Sequence, residues 1–168
     1  QSKNNTLKFI IDKNIPQQLY GDETKLYQIL INLLNNAVKF TNDGHIFLRV
    51  KQEELNEDDC TLIFEISDTG IGIPEDKIES IFNPFQQAES SITRRFGGTG
   101  LGLSIAKDLV ALLDGDLSVK SKVGEGTTFI VSLTMALSKQ PVKNNKTEVF
   151  NFNETVLKDV NILLVDDN

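Results

Sequence analysis

The sequence has no tryptophan and only one cysteine, one histidine and one methionine in 168 residues. The lone cysteine, Cys60, cannot close an internal disulfide and has no metal-ligand spacing around it. It reads as a structural thiol at a strand edge, in a reducing compartment. The lone histidine, His45, follows a turn and begins a strand, and reads as a surface or strand-edge residue. No apolar run is long enough to cross a bilayer, and the first residues do not resemble a signal peptide. A cytoplasmic location is expected, with any membrane anchor lying elsewhere in a parent protein. Basic residues are also in deficit: 17 Lys and Arg stand against 24 Asp and Glu, for a net charge of −7. That balance argues against nucleic acid as a partner. A polyanion could still bind through backbone amides, a few placed cations and a metal ion.

What is present suits one globular domain with a polar extension: 39% of residues are hydrophobic and 24% charged. Residues 6–12 read as a strand, and Asp22 as the N-cap of a helix over 23–40. Strands are expected at 45–52 and 60–67, paired antiparallel around an acidic hairpin loop at 53–59. A short helix is expected over 75–82, a mobile loop over 86–100 and a second helix over 101–115, stopped by Gly115. Two further strands flank the turn "KVGEGT". Residues 137–159 are polar and aperiodic, a linker. The final segment, "VNILLVDDN" (160–168), is an apolar strand ending in two aspartates. A strand does not stand alone, so it reads as the truncated start of another domain. The fold class expected is α/β (α+β), a two-layer sandwich of a mixed, mostly antiparallel sheet with helices on one face.

Residues 32–40 read "NLLNNAVKF". Asparagine is a poor helix former, yet three fall within five residues of this helix. At about 100° per residue, Leu26, Ile29, Leu30, Leu33, Leu34 and Ala37 form the core face. Gln28, Asn32, Asn36 and Lys39 align on another face, with Asn35 outside the stripe. Amide oxygens are hard neutral ligands that Mg²⁺ accepts beside phosphate and water, and lysine adds a point charge for phosphate. On the helix alone, a solvated face explains the amides as well.

Three further stretches bear on that choice. In "EISDTGIGIP", Asp68 ends an apolar strand and is followed by Gly70 and Gly72. A fixed carboxylate there can accept a hydrogen bond from an exocyclic amine, and glycines let a flat ring approach the backbone. The alternatives are a plain Asp-Gly turn or the Asp-Thr-Gly of aspartic proteases, which needs two such loops. In "FGGTGLGLSIAKDLV", Gly97, Gly98, Gly100 and Gly102 lead into a helix start able to attract phosphate. The dinucleotide-binding G-x-G-x-x-G is not matched, since Leu103 stands where its third glycine would be, and no Gly-Lys-Ser/Thr occurs. "VGEGTTF" is a tight turn that leaves Thr127 as a polar contact near the site.

In this order and spacing the stretches resemble the catalytic and ATP-binding domain of sensor histidine kinases, over roughly residues 1–136. "NLLNNAVKF" looks like that family's N box, "DTGIGIP" its G1 box, "IFNPF" its F box, "GGTGLGL" its G2 box and "GEGTTF" its G3 box. The resemblance implies the Bergerat fold and ATP with Mg²⁺ as ligands. It implies Asn36 as main metal ligand with Asn32 nearby, Lys39 on phosphate, Phe40 near sugar or base, and Asp68 on the adenine amine with Gly70, Gly72 and Ile73 beside the ring. Residues 86–100 would be a lid anchored by Phe82 and Phe85, with Arg94 or Arg95 reaching the terminal phosphate. The amides of Gly98, Thr99, Gly100, Leu101, Gly102 and Leu103 would line the phosphate chain.

"VNILLVDDN" resembles the first strand of a response-regulator receiver, with Asp166 and Asp167 as its acidic pair. A hybrid histidine kinase is thus implied. Its partners would be a histidine-bearing dimerisation domain and a receiver, its parent a homodimer, and this fragment a monomer. Two rival readings remain: a clamp-driving ATPase of the same fold, and a regulatory module without turnover.

Overall fold

The computed structural model describes residues 4–85 and 100–138 in full, and the backbone of 160–164. The first helix, α1, spans Glu23–Phe40 as its periodicity predicts, and the Asp22 side chain accepts from the Lys25 amide at 2.9 Å. Its buried residues are Ile29, Leu33, Leu34 and Ala37, the apolar stripe read from sequence. The second helix, α2 (Gly102–Leu112), packs against α1. It ends sooner than expected, because Asp114 already takes a left-handed backbone (φ 51°) ahead of Gly115.

The strands are β1 (Asn5–Ile11), β2 (Leu19–Tyr20), β3 (His45–Leu55), β4 (Asp59–Asp68), β5 (Asp116–Lys122), β6 (Gly126–Leu137) and β7 (Val160–Leu164). They form one sheet in the order β2-β6-β4-β3-β1-β7, with β5 also on β6. Pairing is antiparallel except for β1 with β3 and β1 with β7. The sheet is thus mixed and mostly antiparallel, as expected.

Two local expectations fail, and one short strand was not expected. The acidic stretch 53–59 is not all loop: β3 runs on to Leu55 across a bulge between Gln52 and Glu54, and β4 begins at Asp59. Ladder bonds there outweigh the poor strand propensity of exposed Glu. Residues 75–82 form two short 3₁₀ turns, Glu75–Lys77 and Ser80–Phe82, rather than one helix. The two-residue β2 went unread because it is too short for any period.

The segment read as a receiver's first strand, β7, lies parallel beside β1, with Asn5 opposite Val160 and Phe9 opposite Leu164. An open sheet edge offers unpaired backbone groups to a passing apolar strand.

Alternation along β4 buries Cys60, Leu62, Phe64, Ile66 and Asp68 on the helix side. The core joins these to Leu7, Ile46 and Leu48 and to Phe129, Val131 and Leu133 of β6, under α1 and α2. The other face of the sheet mixes apolar Phe47, Ile63 and Ile130 with polar residues, among them Thr61–Thr134 and Ser67–Thr128 hydroxyl pairs at 2.9 Å. Asp68 therefore closes the row of core-facing residues at one end of β4.

A buried asparagine secures that end. Asn5 is fully buried; its Nδ2 donates to the Thr41 carbonyl at 3.1 Å, and its Oδ1 accepts from the Gly44 amide at 3.2 Å. Asn5→Ala strands both backbone groups. It is expected to cost about 2 kcal/mol and lower Tm by about 5 °C in thermal denaturation.

Candidate functional site

The site is where the C-terminal end of α1 meets the loop after β4. The Phe40 carbonyl accepts from the Ile71 amide at 3.3 Å, and the Thr69 amide donates to the His45 carbonyl at 3.0 Å. These bonds lay the loop 69–74 over the helix end. Asp68 is 9% exposed, and its Oδ1 accepts from the Gly70 amide at 2.8 Å. Burial pushes its carboxyl pKa up, and the amides of Gly70 and Thr127 and the Thr41 hydroxyl partly oppose this. Thr41 Oγ1 itself is buried with no partner at hydrogen-bond geometry among the described residues. A desolvated carboxylate is a strong acceptor for an amine that enters from solvent.

The loop also rests on the β5–β6 turn. The Gly124 amide donates to the Ile71 carbonyl at 2.8 Å, and the Ile73 amide to Ser121 Oγ at 2.8 Å. Gly72, at φ 72°, fits between, and a Cβ there would lie 2.1 Å from the Lys122 carbonyl oxygen. Close backbone packing thus gives Gly72 a reason beyond room for a ring. Thr127 is buried opposite Asp68 on the neighbouring strand.

On α1, Asn32 and Asn36 are half-buried while Asn35 is exposed, so the structure separates the stripe as its angles predict. Asn32 Oδ1 accepts from Gln28 Nε2 at 3.3 Å, and buried Asn32 Nδ2 has no partner among the described residues. Asn32 faces the start of α2: a Cβ on Gly102 would be 3.8 Å from its Oδ1. No side chain caps that helix start, where Leu101 holds the cap position and Gly100 sits at φ 71°. Leu103 packs on the core. Lys39 Nζ lies 4.8 Å over the Phe40 ring, and burial lowers its pKa. Among the described residues no three His, Cys, Asp or Glu side chains cluster to hold a metal. An ion here would rest on amide oxygens and on the ligand's own anionic groups, the chemistry that the α1 stripe offers.

The two proposed lid anchors differ. Phe82 packs edge-on against Phe129, with centroids 6.5 Å apart and Lys107 over its ring. Phe85 is 75% exposed at φ 62°; its amide, at 3.3 Å from the Gly100 carbonyl, makes its contact instead. The aromatic slot beside Phe129 is filled by Phe82, and the lid residues that Phe85 was expected to anchor lie outside the described residues. Arg94, Arg95, Gly98 and Thr99 lie outside the described residues. Sequence reasoning missed Asn5, Thr41 and Ser121. A hairpin register drawn through "KVGEGT" would have placed Ser121 opposite Thr127, as observed.

Residues 21–137 match the model of the histidine kinase-, DNA gyrase B- and HSP90-like ATPase family. The chain belongs to this family. Among curated relatives, the peroxide stress-activated histidine kinase mak2 of Schizosaccharomyces pombe is 43% identical over 98% of the chain and 7% of that protein. The autoinducer 2 sensor kinase/phosphatase LuxQ of Vibrio parahaemolyticus is 49% identical over 73% of the chain and 14% of that protein. The chain thus spans a small part of either relative. Among solved structures, full-length ShkA in complex with AMPPNP superposes with a TM-score of 0.67 at 29% identity, over 82% of this chain and 27% of that one. The mycobacterial sensor histidine kinase MprB superposes at 0.61 and 25% identity, over 80% and 84%. The two-layer sandwich is therefore the fold of this ATPase family, and the resemblance drawn from the boxes holds. Among the described residues no helix is long and apolar enough to cross a membrane.

Proposed function

We propose that this ATPase-family domain binds ATP and serves as the phosphoryl-donor half of a protein-histidine kinase. The observation that carries the reading is Asp68: a desolvated carboxylate at the end of β4, roofed by a loop that is bonded to both the amide-bearing helix and the β5–β6 turn. The AMPPNP held by the ShkA structure and the kinase names of the relatives support it.

In this reading Asp68 accepts from the adenine amine, with Gly70, Gly72, Ile73 and Thr127 around the base. Lys39 and the amides of Gly100, Leu101, Gly102 and Leu103 hold the phosphates. Asn36 and Asn32 would hold Mg²⁺, which supplies neutralisation of the triphosphate charge. The bond from Pγ to the bridging oxygen breaks, a bond from Pγ to a histidine nitrogen of a separate dimerisation domain forms, and ADP leaves. The domain contributes position and electrostatics, with Arg94 or Arg95 adding charge at the terminal phosphate. The histidine would then pass its phosphoryl group to a receiver aspartate. Residues 160–168 are read as the start of such a receiver from "VNILLVDDN", an apolar strand that ends in Asp166 and Asp167. In the parent we place this domain in the cytoplasm, where ATP is supplied.

Calorimetric titration with ATP, with and without Mg²⁺, tests the site. Magnesium-dependent binding is expected, followed by phosphotransfer to a supplied histidine-bearing dimerisation domain. Failure of the folded chain to bind overturns the reading and leaves a regulatory module. Steady hydrolysis without a partner domain favours a clamp-type ATPase. Lys39→Met is expected to weaken ATP about tenfold, near 1.4 kcal/mol, and to leave adenosine binding unchanged in the same titration.

A further inference from the structure

Asp68 has two hydroxyl neighbours in its row. Register aligns Ile46, Asp68, Thr127 and Ser121 across β3, β4, β6 and β5. Side chains directly opposite in antiparallel pairs share a face. The apolar core face thus ends in a carboxylate and two hydroxyls.

Ser121 makes three contacts. Its Oγ accepts from the Ile73 amide at 2.8 Å, donates to the Gly126 carbonyl at 2.9 Å, and lies 2.9 Å from Thr127 Oγ1. A hydroxyl carries one proton and a carbonyl none. With the Ser121 proton on the Gly126 carbonyl, the third contact exists only if Thr127 donates to Ser121. One proton arrangement satisfies all three.

We propose that Ser121 is a positioning residue that makes the base pocket select a 6-amino purine over a 6-oxo purine. It takes the Thr127 proton, so that Thr127 offers only lone pairs toward the nucleotide. This deepens the ATP reading and rests on it. Asp68 and Thr127 then form an edge of acceptors, which suits an exocyclic amine, directly or through a water. A 6-oxo group meets lone pairs on both, and like dipoles are not compensated in a desolvated pocket. Without Ser121 the Thr127 hydroxyl turns freely and can donate to a 6-oxo group. The same serine holds Ile73, so losing it also loosens the loop. That second effect acts on both nucleotides alike, which makes the affinity ratio the informative quantity.

The test is titration of ATP and ITP, which differ at the 6 position and in the N1 proton that the 6-oxo ring carries, into the unmodified chain, Ser121→Ala, Thr127→Val and the double variant. The unmodified chain is expected to prefer ATP. Ser121→Ala is expected to lower the ATP/ITP affinity ratio about tenfold, the 1.4 kcal/mol scale of one hydrogen bond. It is expected to leave the ratio unchanged once Thr127 is Val. Ser121→Thr, which keeps the hydroxyl, is expected to restore the ratio. Equal weakening of both nucleotides by Ser121→Ala overturns the inference and makes Ser121 a structural strut. Equal binding of ATP and ITP by the unmodified chain overturns it while the nucleotide site stands. Binding of neither overturns the nucleotide reading and this inference with it. If Ser121→Ala does not fold, Ser121→Cys keeps the volume with a weaker donor and acceptor, and an unchanged ratio there overturns the inference.

Discussion

Asp68→Asn is expected to weaken ATP by about 30-fold or more while leaving the fold as stable as before, or more so, at neutral pH. The binding loss follows from replacing a charged acceptor by a neutral one: hydrogen bonds to charged groups contribute about 1.5–3 kcal/mol. The stability result follows from the direction of the pKa shift. Burial raises the Asp68 carboxyl pKa above its ordinary value of 3.8. The folded state therefore holds this proton more tightly than the unfolded state. The stability it contributes is full below the ordinary carboxylate pKa and is lost as pH rises through the raised folded value. At pH 7 the ionised side chain costs stability, and asparagine removes that cost. Thermal denaturation of both chains from pH 3.5 to 8 checks this. The variant should melt at or above the parent at pH 7, and any advantage should vanish near pH 4. A variant that melts well below the parent at pH 7 would mean that the carboxylate holds the loop together, and its loss of ATP would then say nothing about adenine.

Gly72→Ala is expected to damage fold and site together. At φ 72° alanine pays about 1–2 kcal/mol for the left-handed backbone. Its Cβ would also lie 2.1 Å from the Lys122 oxygen and 2.6 Å from the Lys122 carbonyl carbon. Both are backbone atoms of a hairpin, so the loop must lift. Lifting breaks the Gly124–Ile71 and Ile73–Ser121 bonds, each 2.8 Å. A total of about 3–4 kcal/mol is expected, a fall in Tm of about 6–16 °C for a domain of this size. Nucleotide binding should be lost even at temperatures where the variant stays folded. Gly124→Ala is the control: its φ is 79°, but nothing lies within 4 Å of the added Cβ. It should cost only the backbone term, about 2–8 °C. Equal melting of the two variants would show that the contact with Lys122 does not matter.

The sequence by itself determined a good deal. The 3.6-residue period of α1 and the Asp22 cap located the helix and its buried stripe, because both signals are local and the period repeats over about five turns. The same arithmetic separated half-buried Asn32 and Asn36 from exposed Asn35. The apolar run at 60–67 put Asp68 at a strand end, while its place on the core side came from the fold. The ordered boxes named the family, since five short patterns in one order are specific where each alone is not.

Only the tertiary structure decided how these pieces meet. The partners of β1 are parallel and distant in sequence, so no local period announces them. The length of the β3–β4 hairpin was set by ladder bonds rather than by the composition of its acidic tip. Phe82 and Phe85 look alike as a pair of aromatics, yet one fills the slot beside Phe129 and the other stays in solvent. Gly72 reads in sequence as room for a ring, and its contact with Lys122 appears only when two loops about fifty residues apart are brought together. Asn5, Thr41 and Ser121 belong to no recognised stretch. Their work is to satisfy or leave open buried polar groups, and that depends on which atoms folding brings within hydrogen-bond reach.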